Sequence, residues 1–212
     1  MRLADEFFLI AWDTAGSGTP LLHTQATSLG LAGALLGELV LTQHVDVRGG
    51  AVRVFDPRRP ADDALTQSVI NEMNNAPEHS DVRTWLAYLA RHSVAAVATR
   101  LIDAGMVRRK ETRMLWHKKV QYLATDYARG AWPAVRVERM LVNGHLMAPS
   151  DMALVALIEA TGLLDAILIE RRDRAAARRY LGTLIATVPY ALRDLVGHVQ
   201  AAVGDAVLSY RT

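Results

Sequence analysis

The sequence has no cysteine, which excludes disulfides and thiolate metal sites. No Pro-, Gly- or Ser-rich stretch and no low-complexity segment marks a linker, so the 212 residues read as one domain, 1–212. The seven histidines lie at 23, 44, 79, 92, 117, 145 and 198, and none has another four residues away. There is no His-Glu-x-x-His, so no helical metal site is expected. The Gly-x-Ser-x-Gly elbow and the Gly-x4-Gly-Lys-Ser/Thr phosphate loop are missing too. Met1-Arg2-Leu3-Ala4-Asp5-Glu6 turns acidic almost at once, unlike a secretory signal. These gaps predict a protein that is not an enzyme and has no cofactor. They place it in the cytoplasm, peripheral to the inner face of a membrane.

What the chain does have is apolar material: 51% of residues are hydrophobic and 22% charged, enough for one substantial core. From Leu29 to Leu41 only Glu38 is charged, and apolar residues point all round the helical wheel. A helix apolar on every side is buried on every side, and this run is shorter than the roughly 20 residues a bilayer requires. Gly30, Gly33 and Gly37 lie along it. Each costs about 1 kcal/mol in a helix interior, so close packing against their backbone is expected to offset that cost.

The remaining patterns surround this helix. A short apolar helix is predicted over 2–13, stopped by Gly16-Ser17-Gly18-Thr19-Pro20. Val45–Arg48, Gly49-Gly50 and Ala51–Phe55 read as a hairpin with a tight two-glycine turn. Asp62 or Asp63 and then Ser80 are candidate caps for two amphipathic helices, the second facing inward with Val82, Trp85, Leu86 and Leu89. A helix over 91–104 points Val94, Val97, Leu101 and Ile102 inward and stops at Gly105. A second hairpin is expected over 106–126, with Lys118-Lys119 at its tip. Pro133 marks a helix start, and Ser150-Asp151 opens a second nearly all-apolar helix reaching Ile169. The fold class is therefore mainly α: central apolar helices wrapped by amphipathic helices, with two small β-hairpins.

Charge is uneven although the net value is only +2. Residues 60–82 carry Asp62, Asp63, Glu72, Glu78 and Asp81 without Lys or Arg. Residues 108–119 and 171–179 are basic clusters, each set against a single acid. Such clusters suggest an anionic partner, a lipid surface or nucleic acid. The second hairpin, following a helix, has the layout of a winged-helix wing that reaches a DNA backbone. The preceding helix offers only Arg91, His92, Thr99 and Arg100 to a groove, so nucleic acid is the less favoured alternative. A self-associating structural protein with no ligand is the third reading.

Asp5–Asp13, Gly30–Leu41, Val52–Pro57, Trp85-Leu86, Arg100–Val107 with its hairpin, and Asp151–Asp165 run collinearly over nearly the whole chain. In order and spacing they resemble the Golgi phosphoprotein 3-like family, and within it the bacterial members. The resemblance implies an all-helical fold around a hydrophobic bundle and a non-enzymatic, adaptor-like peripheral membrane protein. In eukaryotic relatives it implies binding of phosphatidylinositol 4-phosphate, and a hairpin that mediates self-association, so an anionic phospholipid headgroup, a membrane surface and a homo-oligomer are the expected partners. Of the relatives' headgroup positions, the Trp falls on His23, the Arg on Ala32, and the two basic residues on Arg91 and Val94. His23 and Arg91 are thus the expected headgroup residues. Met114, Leu115, Trp116 and His117 are the expected oligomerisation residues.

Overall fold

The apolar run becomes the inside of the fold in the computed structural model. The structure describes all residues except 115–116, 145, 169–170 and 210–212, and the backbone alone of 113–114, 117–118, 171–173 and 209. The central helix α2 (Thr24–Leu41) is buried on every face from Leu29 to Leu39. Its 18 residues lie close to the 26–42 that the sequence predicts, and by length and composition it is apolar enough to cross a bilayer. Yet 72% of it is buried within the fold. It is wrapped by α1 (Leu3–Ala11), α3 (Ala64–Asn75), α4 (Val82–Ala90), α5 (Ser93–Asp103), α7 (Pro149–Ala160) and α10 (Tyr190–Ser209). Outside these, α6 (Tyr127–Asn143) packs on α1, and α9 (Arg171–Leu184) on α6. The described fold is mainly helical, with two small antiparallel two-stranded sheets.

The glycines of α2 serve close packing, as expected, and side chains supply it. A Cβ on Gly30 would lie 2.3 Å from Phe7 Cζ, and one on Gly33 2.5 Å from Val199 Cγ2. Gly197 in α10 is the contrast, since a Cβ there meets nothing within 4 Å. We therefore expect Gly30→Ala to lower stability by about 1–3 kcal/mol through overpacking, despite its better helix propensity. Gly197→Ala should raise it by about 0.5–1 kcal/mol. Thermal unfolding of the two variants checks the opposite signs.

One charged cluster is sealed into this core. Glu38, the lone acid of the apolar run, accepts the free N–H of Ala4 at 2.8 Å and so caps α1. Arg100 of α5 grips it with both guanidinium ends, each at 3.0 Å, and also binds Asp5 at 2.8 Å and Asp63 at 3.2 Å. Arg2 pairs with Asp63 from the other side at 3.1 Å. Burial pushes the Glu38 and Asp5 carboxyls above their usual range, against the pull of Arg100. The cluster ties α1, α2, α5 and the start of α3 together.

The first hairpin, β1 (Val45–Arg48) and β2 (Ala51–Val54), pairs in the expected register. Its turn glycines sit at φ +60° and +77°, the left-handed angles of a two-residue turn. Other expectations shift. α1 is itself buried almost throughout, a third core helix beside α2 and α7. Asp81 rather than Ser80 caps α4, accepting the N–H of Thr84 at 2.8 Å. Ile102 is exposed, while Ser93 and Ala98 join Val97 and Leu101 on the buried face of α5. Pro133 lies inside α6, because Asp126 caps that helix two turns earlier. The second apolar helix stops at Ala160, and a short α8 (Leu164–Ile167) follows. Gly162 takes φ +78°, and the N–H of Leu163 returns to Ile158 O at 2.9 Å, closing the helix.

The second hairpin differs most. Its strands are β3 (Val107–Met114) and β4 (His117–Ala124), with Met114 opposite His117. Lys118 and Lys119 therefore lie in β4, opposite Arg113 and Thr112, and not at the tip. The base is anchored in the core. Tyr122 meets Phe8 and Trp12 edge-on at 5.4 and 5.6 Å, and its N–H donates to Gly18 O at 2.9 Å. Beyond that base, Arg108 to Thr112 are exposed.

Candidate functional site

The N-terminal end of α2 leaves the core and opens into a cleft of about 640 Å³. One wall is the first turns of α2, with His23, Gln25 and Ser28. A second is α4, with Arg83, Ala87 and Arg91, and the third is the far end of α10, with Ala202 and Asp205. His23 is the N-cap of α2, and its Nδ1 accepts the N–H of Gln25 at 3.4 Å. Its backbone carbonyl takes the N–H of Thr27. The ring is thus held at the positive end of a long helix dipole, where anions are favoured.

Arg91 follows α4 as its C-cap, and it is exposed. No carboxylate lies within ion-pairing distance of it among the described residues. Two buried faces hold this geometry. α4 turns Trp85, Leu86 and Leu89 into the core, and α2 turns Leu29 inward while Ser28 O accepts the Ser93 hydroxyl at 2.9 Å. The rigid core therefore fixes the spacing of the two walls. The expected headgroup residues, His23 and Arg91, come together in one cleft.

The cleft draws on elements from near one end of the chain to near the other. The profile of the Golgi phosphoprotein 3 (GPP34) family matches residues 3–199. The chain belongs to that family. No curated protein matches the chain. The family match covers α1 and the first half of α10, so it takes in the α2 and α4 walls of the cleft and stops short of Ala202 and Asp205.

The other two headgroup positions of the relatives do not contribute here. Ala32 is fully buried in α2, and Val94 packs against the core from the first turn of α5. A residue that the sequence reading passed over does line the cleft. Arg83 sits two turns before Arg91 on α4, and that spacing was the available signal. Arg83 pairs with Asp205 at 3.4 Å, a contact between distant segments that local sequence spacing does not reveal.

Met114 and His117 are described in backbone only, and Leu115 and Trp116 lie outside the described residues. In the 171–179 cluster, Arg178 binds Asp165 at 2.9 Å and Arg174 approaches it at 3.9 Å. Arg100, one of four residues offered to a DNA groove, is spent on the buried carboxylates.

Proposed function

We propose that this chain is a non-enzymatic, adaptor-like peripheral membrane protein that takes a phosphorylated anionic headgroup into the cleft between α2 and α4. The inner, cytoplasmic face of a membrane is where it would act. One observation carries the reading: His23 and Arg91, far apart in sequence, line one cleft at the positive end of α2. A phosphate monoester calls for several charge-assisted donors. Here the Arg91 guanidinium, the imidazole and the helix end supply them from different directions. The family's resemblance to proteins that bind phosphatidylinositol 4-phosphate supports the same ligand class.

Sedimentation with phosphatidylcholine vesicles containing phosphatidylinositol 4-phosphate, with duplex DNA as competitor, tests this. A basic residue near an anionic surface contributes on the order of 1 kcal/mol and the reversal changes two unit charges, so Arg91→Glu should lower partitioning by about 30-fold. Binding should also fall as salt rises, since screening acts over about 8 Å at physiological ionic strength. If Arg91→Glu binds as the parent does while charge reversal at Arg171 and Arg172 abolishes binding, a diffuse basic patch replaces the cleft. Displacement by DNA, lost when the 108–119 charges are reversed, would favour the nucleic-acid alternative.

A further inference from the structure

We infer that Arg83 is a second phosphate-binding cation of the cleft and that Asp205 occupies its guanidinium until an anionic ligand displaces it. The inference rests on the headgroup reading and adds to it a built-in competitor. Arg83 and Asp205 line the same cleft as His23 and Arg91. Among the described residues their side chains make polar contact only with each other, at 3.4 Å across the cleft, and they are 54% and 68% exposed. An exposed pair of that kind holds weakly, so a ligand with more negative charge and more acceptor oxygens can take its place.

The location of Asp205 supports a role other than helix stability. It lies near the C-terminal end of α10, the negative end of the helix dipole, where an acid is disfavoured. It also lies beyond the residues that match the family, as the competing wall of a cleft whose other two walls lie within them. In the absence of ligand, the carboxylate neutralises Arg83. A phosphate monoester entering between Arg83 and Arg91 brings oxygens to both guanidiniums and displaces the Asp205 carboxylate from Arg83. The cleft therefore selects for dense negative charge: a singly charged headgroup gains little by exchanging with a carboxylate, and a phosphomonoester gains more.

The test is a double-mutant cycle on phosphatidylcholine vesicles containing phosphatidylinositol 4-phosphate, repeated with phosphatidylglycerol and with soluble inositol 1,4-bisphosphate as competitor. Asp205→Asn should bind the phosphoinositide vesicles about two- to fivefold more tightly than the parent, the range of an exposed ion pair. Arg83→Gln should weaken binding by a similar factor, and Asp205→Asn should bring no gain in the Arg83→Gln background. Asp103→Asn removes an exposed acid that does not line the cleft and should change nothing. Competition by the soluble bisphosphate assigns the contact to the phosphate itself. A gain confined to vesicles assigns it to the lipid surface, and either result supports the exchange. Parent-like binding by Asp205→Asn overturns the exchange while leaving the headgroup reading standing. An equal gain from Asp103→Asn, or a gain that persists without Arg83, does the same. No binding by parent or Asp205→Asn to any of these ligands overturns both.

Discussion

Replacing Arg100 with Met is expected to cost about 3–5 kcal/mol of folding stability, the loss seen when one partner of a buried ion pair is removed. The side chain is only 14% exposed and binds three carboxylates, those of Asp5, Glu38 and Asp63. Without it, Glu38 remains desolvated with no guanidinium beside it, and Asp5 keeps only the weaker pull of Arg2. A domain of this kind has about 5–15 kcal/mol in hand, so the loss is a large share. The pH dependence separates this mechanism from simple loss of packing. Desolvation already raises the Asp5 and Glu38 carboxyls in the folded state. Between the unfolded and the raised folded values, the native state binds more protons, so stability falls as pH rises through that window. Removing Arg100 removes the opposing pull and widens the window upward. The deficit should therefore be larger at about pH 8 than at about pH 5, as measured by urea unfolding at both. An equal deficit at both would mean that the carboxylates keep their charge without help from Arg100.

Leu36→Asp is expected to abolish folding. Leu36 is fully buried in α2. The substitution removes a core side chain, worth about 2–5 kcal/mol, and adds an unpaired charge, worth several more. Glu38, two residues on, shows why position decides this: it survives burial because Arg100 and the N–H of Ala4 are already aimed at it. Leu36 lies instead within the apolar core cluster. Leu36→Met, which conserves volume, should cost less than about 1.5 kcal/mol. Near-ultraviolet circular dichroism and cooperative melting are the measurements. A soluble Leu36→Asp protein with a single sharp transition would remove α2 from the core.

Local patterns in the sequence were enough to place α2, the first hairpin and the buried face of α4. Each rests on short-range physics: apolar periodicity, the backbone freedom of Gly49-Gly50, and the inward spacing of Val82, Trp85, Leu86 and Leu89. The patterns misjudged places where two local signals compete. Pro133 looked like a helix start, but Asp126 caps α6 earlier, and the helix carries the proline inside at the cost of one backbone hydrogen bond. Lys118-Lys119 looked like a turn because they are charged, but strand register follows the buried residues at the base, Val107 and Tyr122.

The amino-acid sequence by itself determined that this would be a mainly helical protein around an apolar helix, and its order of motifs pointed to the family. Through that resemblance it also pointed to His23 and Arg91 as the proposed headgroup residues. What only the tertiary structure decided is which polar groups meet. Glu38 stood as an unexplained acid in an apolar run until α5 brought Arg100 against it. Arg83 was one exposed Arg among many until α10 folded back and set Asp205 across the cleft. Hydrophobic periodicity is written locally, because each helix must find its own buried face. Charge pairing across a cleft is set by how whole helices pack, and that depends on the shape of the core between them.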